Sequence, residues 1–449
     1  MIGSLRQLGS RILRPGPGES LQSRSLGFGI TTLATRGAGL ALLLLSNIVL
    51  ARILGGSEFG IYSFGTVLTS IVAQVATLGI GASSIKFLPR YALSASTNYH
   101  RGFILFSLWG SAASGLVVAG LVGAICYALP DALAVVTPIL PALLALIVVQ
   151  SVNITLIELM RALTWPVHAI FLNVVIMPCL IMAGAYGLWS TGGADARTTA
   201  WLTVVSYALV VVAQLLSFLR RVRTPSFVSS TASYEAGRWI GTGLPIVLAL
   251  AVSQVTFYVD TTLVGIYLST EQLGTYRVVS QVANTLVLLP GTIYTAIGGL
   301  LSREFIQMNR EAFTKTLNQV HGLIFLPVIV LAILLMLASK WVLSLFGPSF
   351  EDGQIPLIIT IAAWLIRLAL GPSDLLLVLA GREQRRLLVE SAALVVSIFV
   401  GLALIPRFGL VGAATAHAVT WLGSAIVLHV LVIRSTGIRV AWYKGLRRS

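Results

Sequence analysis

One loop occurs twice in this sequence, first as Leu54-Gly-Gly-Ser-Glu-Phe-Gly60-Ile-Tyr62 and again as Leu268-Ser-Thr-Glu-Gln-Leu-Gly274-Thr-Tyr276. The copies are 214 positions apart (268 minus 54), and each lies between two long apolar stretches. Each copy is also followed, beyond the next apolar stretch, by a basic residue, which is Arg90 after the first copy and Arg303 after the second. Two repeated halves that run in the same direction predict a transporter, because a cavity between repeated bundles can open alternately to either side of a membrane.

The composition is that of a membrane protein. Of 449 residues, 57% are hydrophobic and only 10% are charged, and the mean hydropathy is +0.93. Backbone in lipid must satisfy its own hydrogen bonds, so the long apolar runs are predicted to be helices. The predicted fold is all-α and polytopic, with about twelve transmembrane helices in two pseudo-symmetric six-helix lobes around a central cavity. The spans are expected near residues 31–52, 59–79, 102–128, 139–160, 165–188, 199–219, 240–260, 274–298, 316–338, 354–379, 385–405 and 410–433.

Basic residues alternate strongly between successive loops of this topology. With the N-terminus in the cytoplasm, 23 of the 30 Lys and Arg residues lie on cytoplasmic segments and five lie on outer loops. The positive-inside rule therefore predicts that both termini are cytoplasmic. The net charge of +15 is explained by topology and by contact with anionic lipids, so no nucleic-acid partner is expected. The predicted divisions are a cytoplasmic tail (1–30), an N-lobe (31–220), a cytoplasmic linker (221–238), a C-lobe (239–434) and a basic tail (435–449).

Several classes of chemistry are disfavoured by what the chain lacks. None of its four lysines ends a phosphate-binding loop of the Gly-Lys-Ser/Thr kind, which an ATP-driven pump needs. The five histidines are isolated in sequence, and Cys126 and Cys179 both lie in apolar runs. We therefore expect no catalytic residues, no metal site and no cofactor, and the chain is predicted not to be an enzyme.

Polar residues inside the first predicted span are the first candidates for a site. An arginine at bilayer depth costs about 2.5–3.5 kcal/mol on insertion scales, so it should face protein, water or a ligand. Arg36 and Asn47 are 11 residues apart and share one face of the helix. Arg36 either extends to lipid phosphates or lines the inner mouth of a cavity, and Asn47 either lines the cavity or bonds to a neighbouring helix.

The tenth predicted span carries a stronger signal. Arg367 and Asp374 lie two turns apart on one face, and Gly371-Pro372 between them interrupts the helix. The charges are about 10 Å apart in a straight helix, too far to pair directly, so each is expected to find another partner. Arg367 and Asp374 either pair with groups on neighbouring helices or line a polar cavity wall, and the sequence leaves both alternatives open.

A buried carboxylate is predicted near the end of the seventh span. If Asp260 is buried rather than solvated, it is a candidate proton or sodium site, because desolvation disfavours the charged form of a carboxyl group. Asp374 is a second candidate for ion coupling. Arg277 lies close in sequence to Asp260 and is a candidate partner for it, as well as a candidate for head-group contact.

Short motifs spread from about residue 28 to 435 resemble the Wzx type of polysaccharide exporter, in the multidrug/oligosaccharidyl-lipid/polysaccharide exporter superfamily. The opening resembles this family in the stretch from Ser46 to Tyr62, followed by Leu78-Gly-Ile-Gly81 and Lys86-Phe-Leu-Pro-Arg90-Tyr. Later motifs that resemble it are Tyr258-Val-Asp260-Thr-Thr, Leu345-Phe-Gly347-Pro-Ser-Phe350, Ala380-Gly-Arg382-Glu and Ile405-Pro-Arg407-Phe-Gly409. Their order and spacing carry the resemblance.

The resemblance implies a flippase that moves an oligosaccharide, linked through pyrophosphate to a polyprenyl lipid, across the bacterial inner membrane by alternating access. Surface polysaccharide (O-antigen, capsule or exopolysaccharide) would be the end product, and membrane lipids, a polymerase and other assembly proteins the partners. The head-group candidates are Arg36, Asn47, Arg277 and Arg367, with Arg36 and Arg367 placed first for the pyrophosphate. The chain ends after twelve predicted spans, whereas flippases of the peptidoglycan precursor have two more, so that precursor is a less favoured cargo.

Two other functions remain open at this point. A drug/cation antiporter of the same superfamily would have an acidic, aromatic-lined cavity, which Asp260 and Asp374 permit and the basic residues oppose. A non-transporting component of polysaccharide assembly would not need charges buried in broken helices.

Overall fold

The computed structural model describes residues 21–93, 96–163, 165–222, 229–306, 310–438 and 440, and these residues are almost entirely helical. The helices are α1 Leu21–Ala76, α2 Ile80–Leu93, α3 Thr97–Ala128, α4 Leu140–Ala162, α5 Pro166–Phe171, α6 Met177–Ser190, α7 Ala196–Val222, α8 Ala236–Tyr267, α9 Thr270–Ile306, α10 Arg310–Leu337, α11 Ser339–Ser344, α12 Gln354–Ala369, α13 Ser373–Leu379 and α14 Glu383–Thr436. A π-helical turn, Leu172–Ile176, joins α5 to α6, and 3₁₀ turns precede α4 and α12.

The predicted spans all fall on these helices, and two helices carry two spans each. α1 bends at Gly55 (φ 75°) and α14 bends at Gly409 (φ 55°), where a residue with a side chain would be strained. Nine stretches of the described residues are long and apolar enough to cross a membrane, and both bent helices are among them. The all-α membrane fold predicted from hydropathy is confirmed.

The two copies of the repeated loop contact each other across the boundary between the lobes, which we call the N-lobe (α1–α7) and the C-lobe (α8–α14). A Cβ atom on Gly60 would lie 2.0 Å from the Thr270 carbonyl oxygen, and one on Gly274 would lie 2.4 Å from the Gly56 carbonyl oxygen. The Ser57 and Thr270 hydroxyls are 2.6 Å apart. Since Gly60 and Gly274, and also Gly56 and Thr270, are equivalent in the repeat, the contact is close to two-fold symmetric.

This contact, the repeat seam (Gly56, Ser57, Gly60, Thr270 and Gly274), is extended by neighbouring groups. The ring of Phe59 meets the ring of Phe350 edge-on at 6.0 Å, and Arg52 Nε donates a hydrogen bond of 2.6 Å to the Leu345 carbonyl. Glycine is required on both sides because no side chain fits between α1 and α9 at this spacing. The seam therefore closes one end of the space between the lobes.

Candidate functional site

A cavity of about 450 Å³ lies between the two lobes. Its walls come from α1, α4, the π-helical turn, α6 and α7 of the N-lobe and from α8 and α9 of the C-lobe. The described lining residues are Leu40, Leu43, Ser46, Asn47, Leu50, Tyr62, Ser63, Thr66, Val67, Ser70, Gln150, Asn173, Met177, Pro178, Ile181, Thr203, Tyr207, Phe257, Tyr258, Arg277, Gln281, Asn284 and Val287. More than half of these side chains carry a hydroxyl, amide or guanidinium group, and Arg277 is the one among them that is charged.

Equivalent positions of the repeat face each other across this cavity. Ser63, Val67 and Ser70 line it from α1, and the residues 214 positions later, Arg277, Gln281 and Asn284, line it from α9. The spacing of i, i+4 and i+7 places each set on one helix face. The two helix faces are therefore equivalent in the repeat, but the C-lobe face carries three polar side chains where the N-lobe face carries two serines and a valine.

The N-lobe wall holds a network of amides and hydroxyls. Asn153 Nδ2 donates to Asn173 Oδ1 at 2.9 Å, which fixes Asn173 on the π-helical turn, a feature common at functional sites. The Tyr62 and Thr203 hydroxyls are 2.9 Å apart. Three amide atoms of cavity residues, Gln150 Oε1, Gln281 Nε2 and Asn284 Oδ1, are buried with no hydrogen-bond partner among the described residues. A ligand or water with hydroxyl groups would satisfy them.

Two of the predicted head-group candidates line this cavity. Asn47 does so while its Nδ2 donates to the Leu43 carbonyl at 2.7 Å. The Arg277 guanidinium lies 5.5 Å from the centre of the Tyr258 ring and has no carboxylate oxygen within 4.0 Å in the described part of the chain. Arg36 belongs to α1, but its side chain lies outside the described residues.

Arg367 and Asp374 line a second cavity, of about 350 Å³, within the C-lobe. The expectation that they could not pair directly is wrong, since Arg367 Nη2 donates to Asp374 Oδ2 at 3.0 Å. The straight-helix geometry does not apply, because the chain leaves the helix at Gly371 (φ 84°) and Pro372 and re-enters it as α13. Phe257 and Val287 line both cavities, so the second adjoins the first.

The Arg367–Asp374 pair continues into a chain of charges. Arg386 lies 3.6 Å from Asp374 and 2.8 Å from Glu390, and Ser253 donates to Glu390 at 2.9 Å. Arg367 also donates to the Trp421 carbonyl and the Ser424 hydroxyl, with its guanidinium 4.7 Å from the centre of the Trp421 ring. The network joins α8, α12, α13 and α14 and neutralises the charge of Arg367. Arg367 is therefore less available to an anion than Arg277.

Asp260 is buried, with 2% of its surface exposed, and its partner is a histidine. His417 Nδ1 lies 2.6 Å from Asp260 Oδ2, and Ser397 Oγ donates to Asp260 Oδ1 at 3.2 Å. Arg277, the partner that the sequence suggested, packs on Tyr258 instead. Trp364 and Trp421 lie against the His417 ring, with ring centres 5.8 and 5.6 Å away.

His417 could not be recognised from the sequence as the partner of Asp260, because the two residues are 157 positions apart in the chain. Gln281 was missed as well, although its place at the 214-residue offset from Val67, one turn from Arg277, was a usable signal. In the described part of the chain no three His, Cys, Asp or Glu side chains are grouped in a way that could hold a metal ion.

Two protein families match this chain. The family described as "Polysaccharide biosynthesis protein" matches residues 27–303, more than half of the chain, and the MatE family matches residues 245–401. A protein of Haloferax volcanii named "Probable flippase AglR" is 26% identical over 189 residues, which cover 39% of this chain and 37% of that protein. The match thus spans well under half of that relative.

Solved structures of transporters share the fold. An inward-facing multidrug resistance MATE family transporter has a TM-score of 0.70 and 16% identity, over 89% of this chain and 95% of the other. The lipid II flippase MurJ in an inward closed conformation has a TM-score of 0.68 and 14% identity, over 93% and 89%. This chain belongs to the polysaccharide biosynthesis protein family, and it shares its fold with transporters of the multidrug/oligosaccharidyl-lipid/polysaccharide exporter superfamily.

Proposed function

We propose that this protein flips polyprenyl-pyrophosphate-linked oligosaccharides across the bacterial inner membrane for the synthesis of surface polysaccharide. The observation that carries the proposal is the cavity between the lobes, which is lined by hydroxyls, amides and the guanidinium of Arg277, a group with no carboxylate partner among the described residues. A polyprenyl tail can remain in the bilayer during transport, whereas the sugar and the pyrophosphate need a polar route. The central cavity offers that route.

Arg277 is the proposed contact for the pyrophosphate. A guanidinium group binds phosphate oxygens through paired N–H donors, and Arg277 has no described carboxylate that would compete. Arg36 remains a candidate for a second contact at the cytoplasmic mouth. Arg367 is not proposed to bind the pyrophosphate directly, because Asp374 already neutralises its charge. Asn47 contributes an amide to the cavity wall.

The repeat seam is the proposed outer gate. The distribution of Lys and Arg supports an orientation with the repeated loops on the outer face and both termini in the cytoplasm. In that orientation the seam closes the outer end of the cavity, which supports a conformation that receives cargo from the cytoplasm. Separation of the two loops would then open the cavity to the outer leaflet.

Asp260 and His417 form the proposed ion-coupling pair. The two groups are buried together in the C-lobe, with His417 Nδ1 2.6 Å from Asp260 Oδ2. The Ser397 hydroxyl on α14 donates to Asp260, and the Tyr276 hydroxyl on α9 lies close enough to interact with it electrostatically. Loss or gain of a proton here would alter the contacts of α8, α9 and α14, which carry part of the cavity wall.

The experiment that tests the function is a comparison of lipid-linked saccharides with and without the gene. A deletion strain should accumulate lipid-linked oligosaccharide on the cytoplasmic leaflet and lose surface polysaccharide, and the wild-type gene should reverse both effects. Arg277→Gln should fail to reverse them, whereas Arg407→Gln, which removes an exposed arginine outside both cavities, should succeed. A deletion strain with no such accumulation would exclude the flippase.

A drug/cation antiporter is the second candidate, favoured by the MatE match to residues 245–401 and by the aromatic second cavity. Arg277 opposes it, because a cationic drug in the central cavity would be repelled. Increased drug sensitivity of the deletion strain, with normal surface polysaccharide, would favour the antiporter.

A further inference from the structure

The two repeat-equivalent helix faces that line the central cavity differ in their side chains. Arg277, Gln281 and Asn284 form a stripe on α9, here called the head-group stripe, and their repeat equivalents on α1 are Ser63, Val67 and Ser70. In the N-lobe copy, both serine hydroxyls donate back to carbonyls of their own helix, at 3.2 Å for Ser63 and 2.8 Å for Ser70. Ser63 and Ser70 therefore have little donor capacity left for a ligand, whereas Gln281 Nε2 in the C-lobe copy is a donor without a partner among the described residues.

The amides of the head-group stripe are poorly satisfied. Gln281 Nε2 and Asn284 Oδ1 are buried and have no hydrogen-bond partner among the described residues. A buried amide group without a partner costs free energy, so such groups in a cavity wall point to a ligand or water that completes them. An amide donates and accepts at the same time, which suits the hydroxyl groups of a sugar.

Resting on the proposed function, we infer that the head-group stripe sets the orientation of the cargo. The diphosphate binds at Arg277, next to the repeat seam, and Gln281 and Asn284 bind hydroxyls of the first sugar units. The stripe runs about 10 Å from Arg277 to Asn284, at about 1.5 Å per residue along α9. The anion therefore lies at the outer end of the cavity and the glycan extends away from it toward the cytoplasm.

The same wall indicates the chemical class of those sugars. Apart from Arg277, the described lining residues are uncharged. An acidic sugar beside Gln281 and Asn284 would bury a carboxylate for which the described lining offers no cation besides Arg277, and this is far more costly than burying a hydroxyl that is hydrogen-bonded. The sugar units at the stripe are therefore uncharged.

The test separates the diphosphate from the sugar. Full-length protein in lipid nanodiscs is titrated with farnesyl pyrophosphate, which has an isoprenoid chain and a diphosphate but no sugar. Arg277→Gln should weaken binding at least tenfold, and Arg277→Lys, which keeps the charge, should recover most of it. Gln281→Leu and Asn284→Leu should change the affinity for this probe by less than twofold.

We expect the two amide variants to be defective only with a cargo that carries sugar. In cells, Gln281→Leu and Asn284→Leu should lower surface polysaccharide at least tenfold at normal protein levels. Gln214→Leu, the same change at a buried glutamine outside both cavities, should export normally. Wild-type export by both stripe variants, or a tenfold loss of probe affinity in either, would overturn the assignment. The proposed function itself would fail on a different result, the absence of accumulated lipid-linked saccharide in the deletion strain.

Discussion

Replacing Gly60 with alanine would force the repeat seam apart. The added Cβ atom would lie 2.0 Å from the Thr270 carbonyl oxygen and 3.0 Å from the Gly274 nitrogen, where ordinary contact begins at 3.4 Å. The two helices must therefore separate locally by about 1.4 Å (3.4 minus 2.0). Overpacking of this kind costs about 1–3 kcal/mol, which would shift an equilibrium between a closed and an open seam roughly 5- to 150-fold toward the open form.

The assay measures access to the central cavity from the outer side. A reporter cysteine replaces Gln281 in a chain whose own thiols are removed by Cys126→Ala and Cys179→Ala. Spheroplasts are then treated with a membrane-impermeant maleimide. Gly60→Ala should raise the labelling rate of the reporter at least fivefold if the seam is the outer gate that we propose.

A matched glycine controls for the change in helix propensity. Gly120 lies in α3, and a Cβ atom there would meet nothing within 4 Å. Gly120→Ala gains the same helix stabilisation, about 1 kcal/mol, without pressing on a neighbour. Equal labelling rates in the Gly60 and Gly120 variants would refute the reasoning that the seam is a gate.

Three further predictions concern the seam and the buried charges. Cysteines at Ser57 and Thr270, whose hydroxyls are 2.6 Å apart, should form a disulfide that stops export of surface polysaccharide until a reductant is added; unchanged export by the cross-linked protein would contradict the gate. Asp260→Asn should weaken the pH or sodium dependence of transport, measured as export against external pH and sodium, and an unaltered dependence would make Asp260 structural. Arg367→Ala should lower the thermal unfolding temperature and the export of polysaccharide, because Asp374 is left without its 3.0 Å partner; the double variant with Asp374→Ala should recover unfolding temperature. An unfolding temperature equal to the wild type in the single variant would argue that the pair contributes little.

The features of this fold that repeat along the chain could be predicted from sequence. The hydropathy pattern predicted the helices, because the bilayer sets both their length and their composition. The 214-residue offset indicated two equivalent halves, and Gly60 and Gly274 are invariant between the copies because both lie where the two loops touch. What the offset did not reveal is that the two copies contact each other, since a repeat specifies equivalence and not proximity.

The pairing of buried charges could not be predicted in the same way. Arg367 and Asp374 pair because the chain breaks at Gly371, and the angle of that break depends on how α12 and α13 pack. His417 reaches Asp260 because α14 packs on α8, and nothing local to either residue encodes that contact. Partner choice in a helical bundle depends on helix rotation, which a hydropathy pattern with weak periodicity leaves open.

The distribution of paired and unpaired charges supports Arg277 as the anion contact more strongly than cavity shape does. A charge at bilayer depth is costly unless it is compensated, and Arg367, Arg386 and Asp260 each have a partner within 3.0 Å. Arg277 lies over the face of the Tyr258 ring and near the Tyr62 hydroxyl, and no carboxylate oxygen lies within 4.0 Å of it among the described residues. A cation–π contact replaces part of the lost hydration but leaves the positive charge in place. A diphosphate would supply the missing negative charge, so the positive charge of Arg277 would be balanced only when cargo is bound.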